Sequence, residues 1–182
     1  MALVAVGACY VDTILTSVSP KVLTKAPQAK TSAHKAIYRV PHYPGEDDKL
    51  RATSITRRRG GNCPNTLEVL QQLLSRDEPA SRTPLNLIAV LPARASAASK
   101  QVRDAFEPRV SLGHCVYRDE FEEPASSYII KSSGTGSRTI VNYNELPEMK
   151  VDEFVRIAGD LAKDAGWYHF EVRFSIPEDS WY

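Results

Sequence analysis

Residues 2–7, Ala-Leu-Val-Ala-Val-Gly, form a continuous apolar run too short for a globular helix and too apolar for a strand with one wet face. Such a run is read as a strand covered on both sides, and near the start of a chain it predicts a central strand of a sheet with helices on its faces. The later sequence repeats the idea. Residues 84–91, "PLNLIAVL", make a second buried strand, and residues 167–172, "WYHFEV", a final strand of the same apolar continuity that is expected to be left partly uncovered. Between them, "NTLEVLQQLLSRD" sets Leu67, Val69, Leu70, Leu73 and Leu74 at helical spacing, with Asn62 or Asn65 as the expected N-cap. Residues 96–108 predict a helix stopped near Pro108, and residues 151–166 an amphipathic helix closed by Gly166. Strands alternating with helices predict an α/β fold, a three-layer sheet with a small β appendage.

The appendage is expected from 37–59. There "AIYRV" and "KLRATSITRR" flank the turn-like "PHYPGEDD", and both alternate polar with apolar positions. Residues 17–36 lack any period and are rich in Ser, Pro, Lys, Thr and Ala, which predicts a flexible insertion. "SSYIIKS" and "RTIVNY" are expected to pair as a hairpin through "SGTGS" at 133–137.

Composition narrows the function classes. The 23 basic and 22 acidic side chains leave a formal charge of +1, so no global field draws nucleic acid or an anionic membrane. Cys9, Cys63 and Cys115 are odd in number and widely spaced, without CxxC or zinc spacing, which fits a reducing cytoplasmic compartment and no metal. No apolar run reaches membrane-span length, and the apolar start meets Asp12 before a signal-peptide core is complete. The four histidines, His34, His42, His114 and His169, show no ligand spacing.

Three constellations carry chemistry. A strand ending at Gly7 puts Asp12 just beyond the carboxyl edge of the sheet, where open α/β sheets bind ligands. A carboxylate there accepts hydrogen bonds from two neighbouring hydroxyls, although a surface-turn acid satisfies the same pattern. "VGACYVD" lacks the later glycines of a dinucleotide fingerprint, which disfavours a nucleotide-binding redox domain. In "RRRGGNCPNT", Gly60 and Gly61 permit close backbone approach and hinge rotation, while Asn62 and Asn65 bring amides to the helix start. The three arginines read more simply as a solvated face. Arg138 follows a glycine turn at the start of a strand, placed for a phosphate or for nothing beyond a hairpin. Glu171 and Arg173, at the end of the last strand, lie near the edge that carries Asp12 if the strands run parallel, with structural pairing the alternative.

Gly7 to Asp12, "YPGEDDKLRATSITRRRGGNCPNT", "SGTGSRTIVNYNELP" and "WYHFEVR", in this order, resemble the amino-terminal half of the pfkB/ribokinase family of carbohydrate kinases. The resemblance implies a ribokinase-like three-layer α/β/α sandwich over 1–182. It also implies that Asp12, Gly61, Asn62 and Asn65 hold sugar hydroxyls, that Arg138 faces the phosphates of ATP with Mg2+, and that Gly60 and Gly61 are the hinge of a β lid. A homodimer through that lid is implied as well. The family's second signature, Asp-Thr-x-Gly-Ala-Gly-Asp, with the catalytic aspartate and the anion hole, is not among these 182 residues. The expectation is therefore the amino-terminal portion of an ATP-dependent sugar kinase, inactive alone and without a catalytic residue of its own. The alternative is a non-catalytic sugar-binding or dimerisation module.

Overall fold

The computed structural model describes residues 1–17, 46–47, 52–75, 83–106, 108–131 and 137–171. Most of the 17–36 insertion, the "AIYRV" strand, the 133–137 turn apart from Ser137, and Arg173 lie outside these residues. The chain divides into two units. The first comprises 1–11, 59–126 and 143–182, and the second 12–58 and 127–142.

In the first unit, β1 (Ala2–Val6) pairs in parallel with β4 (Leu85–Ile88) on one side and β10 (Ala165–Phe170) on the other. β6 (Val110–Ser111) extends the sheet beyond β4, giving the order β10-β1-β4-β6. The first strand is therefore central, as its apolar continuity predicts. Alternation splits it between two cores. Ala5, Leu85 and Leu87 join the cluster containing Cys63 and Leu67 of α1 (Asn62–Leu74) and Val102 of α2 (Ala97–Asp104). Val4, Val6 and Ile88 face Ile157 and Leu161 of α3 (Val151–Leu161). With helical side chains packed on both faces of one parallel sheet, the three-layer α/β architecture is present. Each fully buried Leu or Ile in it contributes about 1.5–3 kcal/mol of burial.

Several local details differ from the sequence reading. The 84–91 run breaks at Ala89, after which β5 (Val90–Pro92) pairs in parallel with β7 (Val116–Arg118). The 96–108 helix ends at Asp104. Its start is set by Ser96 Oγ, which accepts from Ser99 N at 3.1 Å, while Ser99 Oγ donates to the Pro92 carbonyl. Gly166 does not close α3 but sits inside β10, where a Cβ would fall 2.5 Å from the Met1 side chain. The apolar run "WYHFEV" is left partly uncovered, as expected. Trp167 is 66 % and Phe170 49 % exposed on a strand at the end of the sheet order.

The second unit is built on a sheet ordered β3-β2-β8-β9, comprising β3 (Ala52–Gly60), β2 (Tyr10–Ser17), β8 (Ser126–Lys131) and β9 (Arg138–Tyr143). β8 and β9 are neighbours, as the hairpin reading requires. Ser127 Oγ donates to Asn142 Oδ1 at 3.0 Å, which sets the start of one strand beside the end of the other. β2 was not expected, because its sequence "YVDTILTS" mixes polar and apolar residues.

Arg118, at the end of β7, holds the segment between β9 and α3. Its two Nη atoms donate to Glu153 Oε1 and Oε2 at 2.6 and 2.9 Å, its Nε to the Pro147 carbonyl, and Nη2 also to the Glu148 carbonyl. Glu153 Oε2 further accepts from Lys150 N at 2.8 Å, capping the start of α3. The Arg118 bonds, then the Lys150 N–H, hold the Glu153 carboxyl down at about 2, from an ordinary 4.5. Because the folded value is the lower one, the stabilisation is fully present above pH 4.5 and is lost as pH falls from there towards 2. Glu153→Gln is expected to cost about 2 kcal/mol at neutral pH. In urea unfolding at a series of pH values, the gap between the natural chain and this variant should close on acidification through that window. A gap independent of pH would contradict the assignment.

Candidate functional site

α1 begins at Gly61 rather than at either asparagine. Gly61 is the N-cap, with φ of 100°, and no side chain caps the helix. A Cβ at Gly61 would stand 2.3 Å from the Ala8 carbonyl oxygen and 3.2 Å from Pro64 Cδ. Both the left-handed backbone and the contact with the turn after β1 thus require glycine. Asn62 is the first helical residue, and the Asn65 N–H donates to the Gly61 carbonyl at 3.0 Å. Because neither asparagine side chain caps the helix, both amides are available to other partners. Both residues are exposed, and at a spacing of three they share one face of the first turn.

Each amide has one fixed neighbour. Asn62 Nδ2 donates to Glu171 Oε1 at 2.7 Å, and the Glu171 N–H donates to the Val6 carbonyl, so β10 delivers this carboxylate to the carboxyl end of β1. The sequence placed Glu171 at the edge of the site, and the parallel β1–β10 register brings it to Asn62. Asn65 Oδ1 accepts from Arg59 Nη1 at 3.3 Å. Arg59 is buried, pairs through Nη2 with Glu68 Oε2, and lies 4.5 Å over the Phe106 ring. The solvated-face reading of the arginine run therefore holds for Arg57 and Arg58, which are exposed, and fails for Arg59. No local pattern distinguishes one arginine of the three, because its partners arrive six, nine and forty-seven positions later.

A cleft of about 580 Å3 opens in the first unit at the carboxyl ends of β1 and β10. Gly7, Ala8 and Tyr10 from the β1 turn line it, with Asn144 and Glu148 from the segment held by Arg118, and Glu171. Open α/β sheets bind small ligands at this edge. Cys63, behind the helix start, donates from Sγ to the Val6 carbonyl at 3.4 Å. Burial, then the Glu171 carboxylate, pushes its thiol up, which keeps it a protonated packing group.

In the second unit, Asp12 is the third residue of β2 and not part of a loop. It is 7 % exposed, and its Oδ2 accepts from Arg58 Nε at 3.3 Å. Arg138 opens β9 and is exposed. Gly60, the last residue of β3, belongs to the first unit. Among the described residues, no group of three or more His, Cys, Asp or Glu converges to hold a metal ion, and no helix is long and apolar enough to cross a membrane.

No family model matches the chain. In sequence it is 30 % identical over 136 residues to ketohexokinase of Mus musculus, covering 74 % of this chain and 41 % of that protein. In structure it is similar to ribokinase of Arabidopsis thaliana complexed with ribose and ATP, with a TM-score of 0.54 and 16 % identity over 86 % of this chain and 42 % of that one. It is also similar to ribokinase of Cryptococcus neoformans in complex with ADP, with a TM-score of 0.51 and 12 % identity over 96 % and 50 % of the two chains. The chain thus spans half or less of the length of each of these proteins. Its fold is ribokinase-like, and the resemblance to carbohydrate kinases of the pfkB/ribokinase family holds in sequence as well as in fold.

Gly61→Ala is expected to destabilise the first unit by about 1–3 kcal/mol, the cost of a strained backbone position made worse by the Ala8 contact. Chemical denaturation monitored by Trp fluorescence measures it. Unchanged stability would mean that this turn relaxes freely.

Proposed function

We propose that this chain is the sugar-holding amino-terminal portion of an ATP-dependent sugar kinase of the ketohexokinase or fructokinase kind, which transfers the γ-phosphate of ATP to a sugar hydroxyl. The observation that carries the reading is the pair of exposed amides, Asn62 and Asn65, on an uncapped helix turn at the carboxyl edge of a parallel sheet. That arrangement suits a neutral polyol, whose hydroxyls both donate and accept.

In this reading Asp12 accepts from two neighbouring sugar hydroxyls, Gly61 lets the sugar approach the backbone, and Asn62 and Asn65 hold further hydroxyls. Glu171 and Arg173 border the site. Gly60 and Gly61 act as the hinge of the β lid, through which two copies would pair. Arg138, exposed on β9, suits an ATP phosphate as a fixed cation. Mg2+ bound with ATP would neutralise phosphate charge, and no residue described here is assigned to it. Phosphoryl transfer rests on positioning and electrostatic stabilisation, with a base to take the hydroxyl proton. No segment of these 182 residues matches the signature that carries that base. Sugar binding is therefore assigned to this chain, and the transfer step is not.

Titration calorimetry with D-fructose and D-ribose tests the sugar assignment. Asp12→Ala is expected to weaken binding by about tenfold or more, since each lost charge-assisted hydrogen bond is worth about 1.5–3 kcal/mol. Unaltered affinity in that variant would remove its role. Arg138→Ala should weaken binding of a fluorescent ATP analogue and leave sugar affinity alone, and the reverse pattern would overturn the phosphate assignment. A coupled ADP-release assay of the 182-residue chain should stay silent with ketoses, aldoses and nucleosides. Sugar-dependent release that vanishes in Asp12→Ala would place the whole reaction in this chain.

A further inference from the structure

The two amides of the first α1 turn are held in opposite senses. Asn62 spends a donor, since its Nδ2 faces Glu171 Oε1 at 2.7 Å, and so presents its carbonyl oxygen. Asn65 spends its acceptor, since its Oδ1 faces Arg59 Nη1 at 3.3 Å, and so presents its N–H groups. Neither partner can reverse the assignment. A guanidinium only donates, and an ionised carboxylate only accepts, so flipping either amide would set donor against donor or acceptor against acceptor.

The two partners are themselves anchored. Arg59 is buried, with Glu68 on one nitrogen and the Phe106 ring beneath it. Glu171 is tied through its backbone to Val6, and its Oε2 is buried without a hydrogen-bond partner among the described residues. The exposed face at the mouth of the helix therefore carries one acceptor and one donor, a turn apart.

We infer that Arg59 and Glu171 are positioning residues which lock Asn65 and Asn62 in opposite orientations, so that the helix start selects a neutral hydroxyl over groups that only accept or only donate. The inference rests on the sugar-binding reading and assigns that site its polarity. A hydroxyl satisfies both amides, donating to Asn62 Oδ1 and accepting from Asn65 Nδ2. A fluorine in its place offers nothing to Asn62, and an ammonium offers nothing to Asn65.

The test titrates the 182-residue chain with D-fructose and with its monofluoro and monoammonium analogues, one hydroxyl replaced at a time. At the hydroxyl held here, both analogues should bind about tenfold or more weakly than the parent. Glu171→Leu frees Asn62 to turn its NH2 outward, and the fluoro analogue should then recover relative to fructose while the ammonium analogue does not. Arg59→Leu frees Asn65 to turn its oxygen outward, and the ammonium analogue should recover instead. Arg59→Lys, which keeps a donor, should retain the natural order. Variants that weaken all three ligands equally would reduce the two residues to structural supports and overturn the inference.

Should the chain bind none of the sugars, the sugar-holding reading fails, and the lock is still read without a ligand. Side-chain 1H–15N spectra should show slow proton exchange at the Asn62 amide that becomes fast in Glu171→Leu. The Asn65 amide should gain mobility in Arg59→Leu. Fast exchange at Asn62 in the natural chain, or amides unmoved by the substitutions, would refute the lock itself.

Discussion

Contact between the Gly61 backbone and the Ala8 carbonyl decides where the first helix starts, and much of the first unit follows from it. At φ of 100° the chain leaves β3 and enters α1 in one residue, so close to the turn after β1 that no side chain fits between them. With its start fixed there, α1 lays Cys63, Leu67 and Gln71 inward. Asn62 and Asn65 are turned outward by the same helical phase, because inward and outward positions alternate with a period of 3.6 residues. A helix starting one residue later would rotate every position by about 100° and carry the amides away from Glu171 and Arg59.

The cleft at this edge has a second wall, held by charge as well as by the apolar packing of Leu146 and Met149. Residues 144–149 form no regular element, and so cannot satisfy their carbonyls through a ladder or helix. Arg118 takes the Pro147 and Glu148 carbonyls, and the same guanidinium grips Glu153 at the start of α3. One side chain on β7 thereby ties an irregular segment to a helix. The planar fork of arginine makes this possible, since a lysine ammonium could not meet a carboxylate side-on and two carbonyls at once.

How much of this was legible in the sequence follows from the range of the interactions. β1, β4 and the stripe of α1 could be read because apolar continuity and a 3.6 period are local signals that burial enforces. The Gly-Gly-Asn-x-x-Asn element was legible as a backbone approach followed by amides. The N-cap was not, because asparagine is a common cap and only the Ala8 carbonyl shows that Gly61 holds the position. β2 was hidden by a polar mixture in which sheet neighbours, not the strand's own pattern, supply the pairing. Gly166 was misread for the opposite reason. A glycine after a helical stripe is normally a stop signal, and here the Met1 side chain occupies the space that a Cβ would need. The role of Arg59 was invisible, since its identity as the buried member of three depends on Glu68 and Phe106.

Burying Arg59 is hard to explain by stability alone. Its Nε has no hydrogen-bond partner among the described residues, and its partner Glu68 is 43 % exposed, so the pair recovers only part of the cost of desolvating the guanidinium. An apolar pair of similar volume in place of Arg59 and Glu68 would pack against Phe106 with no polar atom left over. Such a pair has no N–H to offer Asn65, and glutamine or serine at the same place would both donate and accept, leaving the amide free to turn over. Only a group that donates and never accepts gives a carboxamide a single orientation. The same reasoning applies with the sign reversed at Glu171, where an ionised carboxylate accepts and never donates. Two charged side chains thus give two uncharged ones a direction, and direction is the property a neutral site needs when its ligand has no charge to recognise.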